Sequence, residues 1–334
     1  MKLEKTIEVL VLGYYGFGNL GDELLSKAVV DALVSLDIPR ERIVLLSANP
    51  GRSEKLTGVK CFNRWNLGAV AALIKQSKSF LLGGGGLFQD VTSIKSCGYY
   101  WWMVRTARMS ETKIWAVSQS VGPLHSILGK WFTKNALKKC SYISVRDKKT
   151  ADLLNSWNIS CSIAPDLVLG MLCKRSRMSD PNLLLNLRPC YDKCAVNAVK
   201  TANFIAKNEK LKIIGVAFAK EDQVYLENLE ADGTVKFKNI VTVESIDEFE
   251  QIAASASKAI GMRLHFAELC AIAGVPVAAA AYDPKVESFC AEWNLPVLGN
   301  KISDNFGVID VMALQKIHDD IIAEFAEGWK IINK

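Results

Sequence analysis

Residues 261–285 read GMRLHFAELCAIAGVPVAAAAYDPK. An apolar run, SKAI, leads into this stretch; an apolar helical pattern, FAELCAIA, comes next, and a second apolar run, VPVAAAA, follows it. A strand, a helix and a strand in so few residues form a crossover, which makes the two strands parallel. Parallel sheets are covered on both faces, so their strands are continuous apolar runs and not alternating ones. The stretch therefore predicts an open α/β sheet. Arg263 and His265 sit where SKAI meets the helix, and Lys285 opens the next strand-to-helix junction. Ligands of open α/β sheets bind outside the carboxyl ends of the strands. All three groups fall on that edge, and all three suit an anionic reactant. Each alone also fits an ordinary helix start; their occurrence on adjacent junctions points to chemistry.

The same alternation extends along the whole chain. IEVLVL, IVLLS, SFLLGG, KIWAVS and YISVR read as buried strands. Helical patterns fall between them at 22–36, 67–75, 97–110, 128–139 and 148–157. The polar, basic segment CKRSRMSDP marks a change of domain. A second set follows in NLLLNLRP, LKIIGVAF, NIVTV, SKAI and VPVAAAA. The expected division is a Rossmann-like domain at 1–172, a linker at 173–182, a second Rossmann-like domain at 183–307 and an amphipathic helix at 308–334. That helix has an acidic polar face and is expected to pack against a domain. Two such domains are expected to face a central cleft, a favoured place for ligands.

Composition narrows the function. The 334 residues carry a net charge of +6, and half are hydrophobic. No run of Lys and Arg has the density of a nucleic-acid arm, so no nucleic-acid partner is expected. The surplus fits an anionic small substrate or an anionic membrane surface. The nine cysteines are odd in number and lack paired spacing; Cys190 and Cys194 have no matching ligand pair, so no zinc site is expected. Reduced thiols acting as small core residues are expected instead. MKLEKTIEVLVLG reads as a first strand and not a signal peptide. No apolar run approaches a membrane span of ~20 residues. A cytoplasmic protein is expected, with the inner face of the membrane as its one membrane option.

Two glycine-rich loops invite over-reading. GFGNLG at 16–21 is formally a dinucleotide-binding turn. Tyr14 and Tyr15 separate it from the strand, however, and Asp22 and Glu23 stand where a pyrophosphate would sit and would repel it. The second strand ends in Ser47-Ala48-Asn49, without a ribose-binding acid. The loop reads either as a tight turn with Asp22 as the helix cap, or as one presenting Tyr14, Asn19 and backbone N–H groups to substrate. Gly83–Gly86 is costly to order and suggests a close approach to the backbone, making Gly84 and Gly85 substrate candidates. The aromatic run GYYWWMVR fits core packing, sugar stacking or membrane contact. Further strand ends carry Gln119, Arg146, Asn186 and Arg188; Asp147 reads as a helix cap and Asp166 as closing the first domain.

Taken together, GYYGFGNLGDE, LLGGGGLFQD, SQSVGPL, SVRD, APD, GMRLH, GVPV and YDPKV resemble the polysaccharide pyruvyl transferases of the CsaB (cell-wall polymer) type, over nearly the whole chain. The resemblance implies a GT-B-like fold. It also implies transfer of a pyruvyl group from phosphoenolpyruvate onto a lipid-linked saccharide, often N-acetylmannosamine, as a cyclic 4,6-ketal. Arg146, His265 and Lys285 match the residues expected to handle phosphoenolpyruvate. Phosphoenolpyruvate would be a donor substrate, and no cofactor or metal is implied. Two alternatives share these features: a GT-B glycosyltransferase using a nucleotide sugar, and a non-catalytic sugar-binding or scaffold protein at the membrane.

Overall fold

The computed structural model describes residues 5–91, 93–171, 181–189, 193–299 and 301–334. The expected linker, 173–182, lies outside them except for 181 and 182, and so does Cys190. The fold is α/β and GT-B-like, with two parallel sheets and, among the described residues, twelve α-helices. The chain divides into two compact units. Unit 1 is Met1–Phe17, Asp22–Gly170 and Ile317–Lys334; unit 2 is Gly18–Gly21 and Met171–Lys316.

The first part of the chain runs β1 (Ile7–Leu12), α1 (Leu20–Ser35), β2 (Ile43–Ser47), α2 (Pro50–Thr57), β3 (Lys60–Asn63), α3 (Leu67–Gln76) and β4 (Ser77–Leu82). It continues with β5 (Gly85–Phe88), α4 (Ile94–Met109), β6 (Lys113–Val121), α5 (Ile127–Leu137), β7 (Tyr142–Val145), α6 (Lys148–Ser156) and β8 (Ser162–Ile163). The strand order is β3-β2-β1-β4-β6-β7-β8, with β5 paired to β6, and every pairing is parallel. Leu10, Leu12, Leu46, Phe80 and Leu82 fill the core beneath Tyr100 and Met103 of α4.

The second part runs β9 (Asn182–Asn186), α7 (Lys193–Asn208), β10 (Lys212–Ala217), α8 (Lys220–Ala231), β11 (Phe237–Thr242) and α9 (Ile246–Ala253). It ends with β12 (Ala256–Gly261), α10 (Leu264–Ile272), β13 (Val277–Ala279), α11 (Pro284–Glu292) and α12 (Val311–Asn333). The strand order is β11-β10-β9-β12-β13, all parallel. Residues 261–285 thus form the predicted strand end, helix, strand and helix start.

In each sheet the order reverses once, between β1 and β4 and between β9 and β12. Such switch points splay the flanking loops apart and leave a crevice at the strand ends. GYYGFGNLG follows β1 and GGGG follows β4, while Arg188 follows β9 and Arg263 and His265 follow β12. Each unit therefore carries some of its candidate residues at its own switch point, while Gln119 and Arg146 stand at the ends of β6 and β7 and Lys285 follows β13.

The last helix packs on β6 and β7. Phe325 and Trp329 lie 6.0 and 6.1 Å from the Trp115 ring. A Cβ on Gly328 would meet Tyr142 at 2.9 Å. Cys61, Cys97, Cys140, Cys161 and Cys290 are free thiols. Burial pushes Cys61, Cys140 and Cys290 up to about 12, as expected of unreactive core thiols. Among the described residues, no helix is long and apolar enough to cross a membrane.

Candidate active site

Unit 2 assembles its strand ends through Asn186 and Arg263. The Asn186 Nδ2 donates to the Val216 carbonyl at the end of β10, and its Oδ1 accepts from Arg263 N at 3.1 Å. One buried amide thereby ties β9, β10 and the β12–α10 junction together. The Arg263 guanidinium turns away from its own helix. Its Nε and Nη2 donate to the two Asp222 oxygens at 2.6 Å each, and Nη2 also reaches Glu221 at 2.8 Å. Asp222 is fully buried. Burial opposes the guanidinium charge, yet the Asp222 and Glu221 contacts hold Arg263 above the ordinary arginine pKa. This charge is already neutralised twice over, and its geometry serves to lock α10 onto α8.

His265 follows in the first turn of α10. Its ring lies against Gly21, which belongs to the same unit: a Cβ on Gly21 would stand 1.9 Å from Nδ1 and 2.3 Å from Cγ. The last glycine of GFGNLG is therefore small because the imidazole occupies the space of its side chain. Leu20 N donates to the Phe218 carbonyl at 3.0 Å and fixes the same segment. Gly21 N donates to Asn19 Oδ1, so Asn19 sits at the start of α1. The helix begins at Leu20, which puts Asp22 in its first turn and not at the cap.

Arg188 and Lys285 share a neighbourhood. Arg188 Nη1 donates to the Tyr282 hydroxyl at 2.7 Å, and its guanidinium carbon lies 4.9 Å from that ring's centroid. Tyr282 leads into Asp283, whose carboxylate caps α11 by accepting from Lys285 N at 2.9 Å. A cap of this kind contributes about 1 kcal/mol, and here it also fixes where Lys285 starts. The structure thus brings Arg188, Arg263, His265 and Lys285 to one edge of one sheet.

In unit 1, Arg146 N donates to the Gln119 carbonyl, and the Arg146 side chain, 7% exposed, is ion-paired with Asp166. Asp147 caps α6, accepting from Thr150 N at 2.7 Å, and also accepts from the Ser120 hydroxyl. Gln119 is buried, and its Nε2 donates to the carbonyls of Leu82, Gly83 and Val117. It therefore anchors the glycine run by its amide. The run itself has a packing cause. A Cβ on Gly83 would stand 2.1 Å from the Tyr15 hydroxyl, and one on Gly84 would crowd Leu25 and Leu167. Gly85 has φ +108, a conformation that excludes larger residues. The close approach to Gly83 and Gly84 is made by the protein's own side chains. Likewise, Gly16 N donates to the buried Glu23 carboxylate at 2.9 Å, where a phosphate would otherwise sit.

Tyr14 is exposed and stacks on Phe17 at 4.1 Å. What lies below has little signature in the sequence. Arg64, 2% exposed, stands 5.4 Å from the Phe17 ring, 5.1 Å from Trp65 and 4.8 Å from Tyr99. It donates to the Gly13 carbonyl and the Tyr100 hydroxyl. Three of the four aromatics at 99–102 are thereby assigned: Tyr99 and Tyr100 face Arg64, while Trp101 packs on Trp131 and Phe132 of α5. Asp222 and Glu221 were also missed. Their only signal is an acidic pair at a helix start, which the helix dipole alone would explain.

The solved structures similar to this chain share its fold. UDP-GlcNAc 2-epimerase from Methanocaldococcus jannaschii is 12% identical, with a TM-score of 0.60 over 92% of this chain and 97% of that one. A putative UDP-N-acetylglucosamine 2-epimerase from Listeria monocytogenes is 10% identical, with a TM-score of 0.61 over 97% of this chain and 91% of that one. No curated protein matches the sequence. The family model described as polysaccharide pyruvyl transferase matches residues 19–284, a span that runs from Asn19 through Arg146 and His265 to the start of α11. The chain belongs to the polysaccharide pyruvyl transferase family.

Proposed function

We propose that this transferase is of the CsaB type and moves a pyruvyl group from phosphoenolpyruvate to a sugar of a lipid-linked cell-surface polysaccharide precursor. The family match over residues 19–284 carries the reading. A proton is delivered to the methylene carbon of phosphoenolpyruvate, which makes its C2 oxocarbenium-like. One sugar hydroxyl adds to C2 and loses its proton. The C2–O bond to phosphate then breaks, releasing inorganic phosphate. The second hydroxyl adds to C2, loses its proton and closes a 4,6-type ketal.

His265 is the proposed proton-transfer group, because an imidazole titrates near neutrality and general acid–base help contributes about 10²- to 10⁴-fold. Lys285 and Arg188 are proposed to meet the carboxylate or phosphate of the donor as compact and forked cations. Arg146 is proposed to meet an anionic group of a substrate at the strand ends of unit 1, and Gln119 to hold the strand end beside it. Arg263 is proposed as a positioning residue, since its charge is engaged by Asp222 and Glu221. Tyr14, Asn19, Asp22 and the Gly84–Gly85 backbone are proposed to lie on the acceptor side. The scheme requires no redox cofactor.

Phosphoenolpyruvate should raise the melting temperature and UDP should not, because a ligand that binds only the native state stabilises it by mass action. Phosphate release should require both phosphoenolpyruvate and a sugar acceptor. Stabilisation by UDP with none from phosphoenolpyruvate would instead favour a nucleotide-sugar glycosyltransferase.

A further inference from the structure

Charge along this chain is unevenly placed. Between residues 91 and 146 stand nine Lys and Arg residues against one acid, Glu111, a balance of +8 in a chain whose total is +6. The rest of the protein is therefore slightly acidic, and the basic surplus belongs to α4, α5 and their flanks.

The surface of those two helices has an unusual make-up for an exposed face. Ile127 is 86% exposed, Leu128 59%, Trp131 49% and Met109 74%. Single exposed apolar residues are normal, but contiguous bulky ones mark an interaction site. On α5, Ile127 and Trp131 are one turn apart, and Lys130, Lys134 and Lys138 form the neighbouring stripe at the same spacing. On α4, Arg105 and Arg108 extend the basic ground, and Arg105 lies 5.8 Å from the Trp101 ring. The two helices are joined by ring contacts, with Trp101 5.6 Å from Trp131. Between them opens a pocket of about 560 Å³ lined by Trp101, Arg105, Arg108, Met109, Trp131 and Lys139. Among the described residues, none of Arg105, Arg108, Lys130, Lys134, Lys138 and Lys139 is ion-paired. Asp90, the acid beside the amino end of α5, accepts from His125 N and from the Ser126 amide and hydroxyl. It holds the helix start and leaves the basic stripe unopposed.

We propose that the α4–α5 face of unit 1 is a docking surface for an anionic phospholipid bilayer. Ile127, Leu128, Trp131 and Met109 would enter the headgroup boundary, and the Lys and Arg stripe would sit at headgroup level. Interfacial helices combine bulky apolar groups with cations in this way. Indole rings favour the boundary because one edge is apolar and the N–H is wet. A protein partner would need matching acids at each cation, whereas an anionic bilayer satisfies a whole stripe without register. The proposal rests on charge and exposure and does not depend on the pyruvyl reaction, although a lipid-linked acceptor would give it a purpose.

The test is co-sedimentation of the full chain with vesicles, without phosphoenolpyruvate or acceptor. Binding is expected to vesicles containing about a third phosphatidylglycerol, and to weaken strongly on phosphatidylcholine alone and at high salt. The K130Q/K134Q/K138Q variant should lose about 100-fold in partitioning, since each cation near an anionic surface is worth about fivefold. The I127S/L128S variant removes only exposed side chains and should lose about tenfold. Both should keep wild-type phosphate release with a water-soluble acceptor, so a failure of docking and a failure of the pyruvyl assignment would show separately. Equal binding to both vesicle types, or unchanged binding by both variants, would overturn the proposal. So would a dimer that the I127S/L128S variant dissolves while no vesicle is bound, which would give the face to a second copy of the chain.

Discussion

The β7–α6 junction of unit 1 and the β12–α10 junction of unit 2 start from the same sequence device and end differently. In both, a buried strand runs into an arginine and then a helix. After β7 the next residue, Asp147, caps the helix, and Arg146 is ion-paired with Asp166. After β12 no side chain caps α10, and Arg263 instead makes three bonds to Asp222 and Glu221. The strand-end position thus fixes where an arginine stands but not how its charge is engaged. At β12–α10 the proposed proton transfer falls to His265, whose room is made by Gly21.

The sharpest challenge to this contrast is His265→Ala. Phosphate release should fall by about 10²- to 10⁴-fold, while urea unfolding stays close to wild type; undiminished release would remove His265 from the mechanism. Arg263→Met should act in the opposite manner, through stability. It leaves Asp222 buried without its partner, at a cost of about 3–5 kcal/mol, and the added change Asp222→Leu should recover most of it in the same urea titration. A stable Arg263→Met variant that has lost phosphoenolpyruvate binding would make Arg263 a substrate contact after all.

Gly21→Ala tests the seat of the imidazole. The new Cβ would displace the ring, and a misplacement of about 1 Å can cost about 100-fold in kcat. Wild-type kcat in this variant would mean that the position of His265 is not critical.

The smallest effect concerns β7 itself. Glu324 of α12 accepts from the Ser144 hydroxyl on β7, and its other oxygen has no hydrogen-bond partner. Burial, with Glu327 adding to it, raises this carboxyl to about 8. The folded state therefore keeps a proton that the unfolded chain gives up at ordinary carboxyl pH. The stability from this group is complete below pH about 4.5 and is lost as pH rises through about 8. Glu324→Gln should raise stability at pH 8 more than at pH 5, flattening the pH profile of unfolding. An unchanged slope would place the titration elsewhere.

Much of this was legible in the sequence because buried parallel strands are continuous apolar runs, and IEVLVL, SFLL and YISV stand out as such. The helices at 67–76 and 148–156 were read nearly to the residue, the second together with its cap, Asp147. The helix at Pro50–Thr57 was not read: it is short and polar, and it buries only Ser53 and Thr57. Arg146, His265 and Lys285 stand out in the sequence because strand ends are sparse places for polar residues. The meaning of the glycines was not readable. What crowds Gly21 is a ring more than two hundred residues away in sequence, and what crowds Gly83 is the neighbouring Tyr15. Arg64 was hidden for the same reason, because its aromatic surroundings come from three separate segments.

The central claim is pyruvyl transfer through the His265 junction, and mass spectrometry of a sugar acceptor after incubation with phosphoenolpyruvate tests it most directly. The account predicts that the wild-type protein adds one pyruvyl ketal to the acceptor and releases one inorganic phosphate, and that His265→Ala yields almost none. An acceptor of unchanged mass with the wild-type protein, across lipid-linked and soluble N-acetylated sugars, would contradict it.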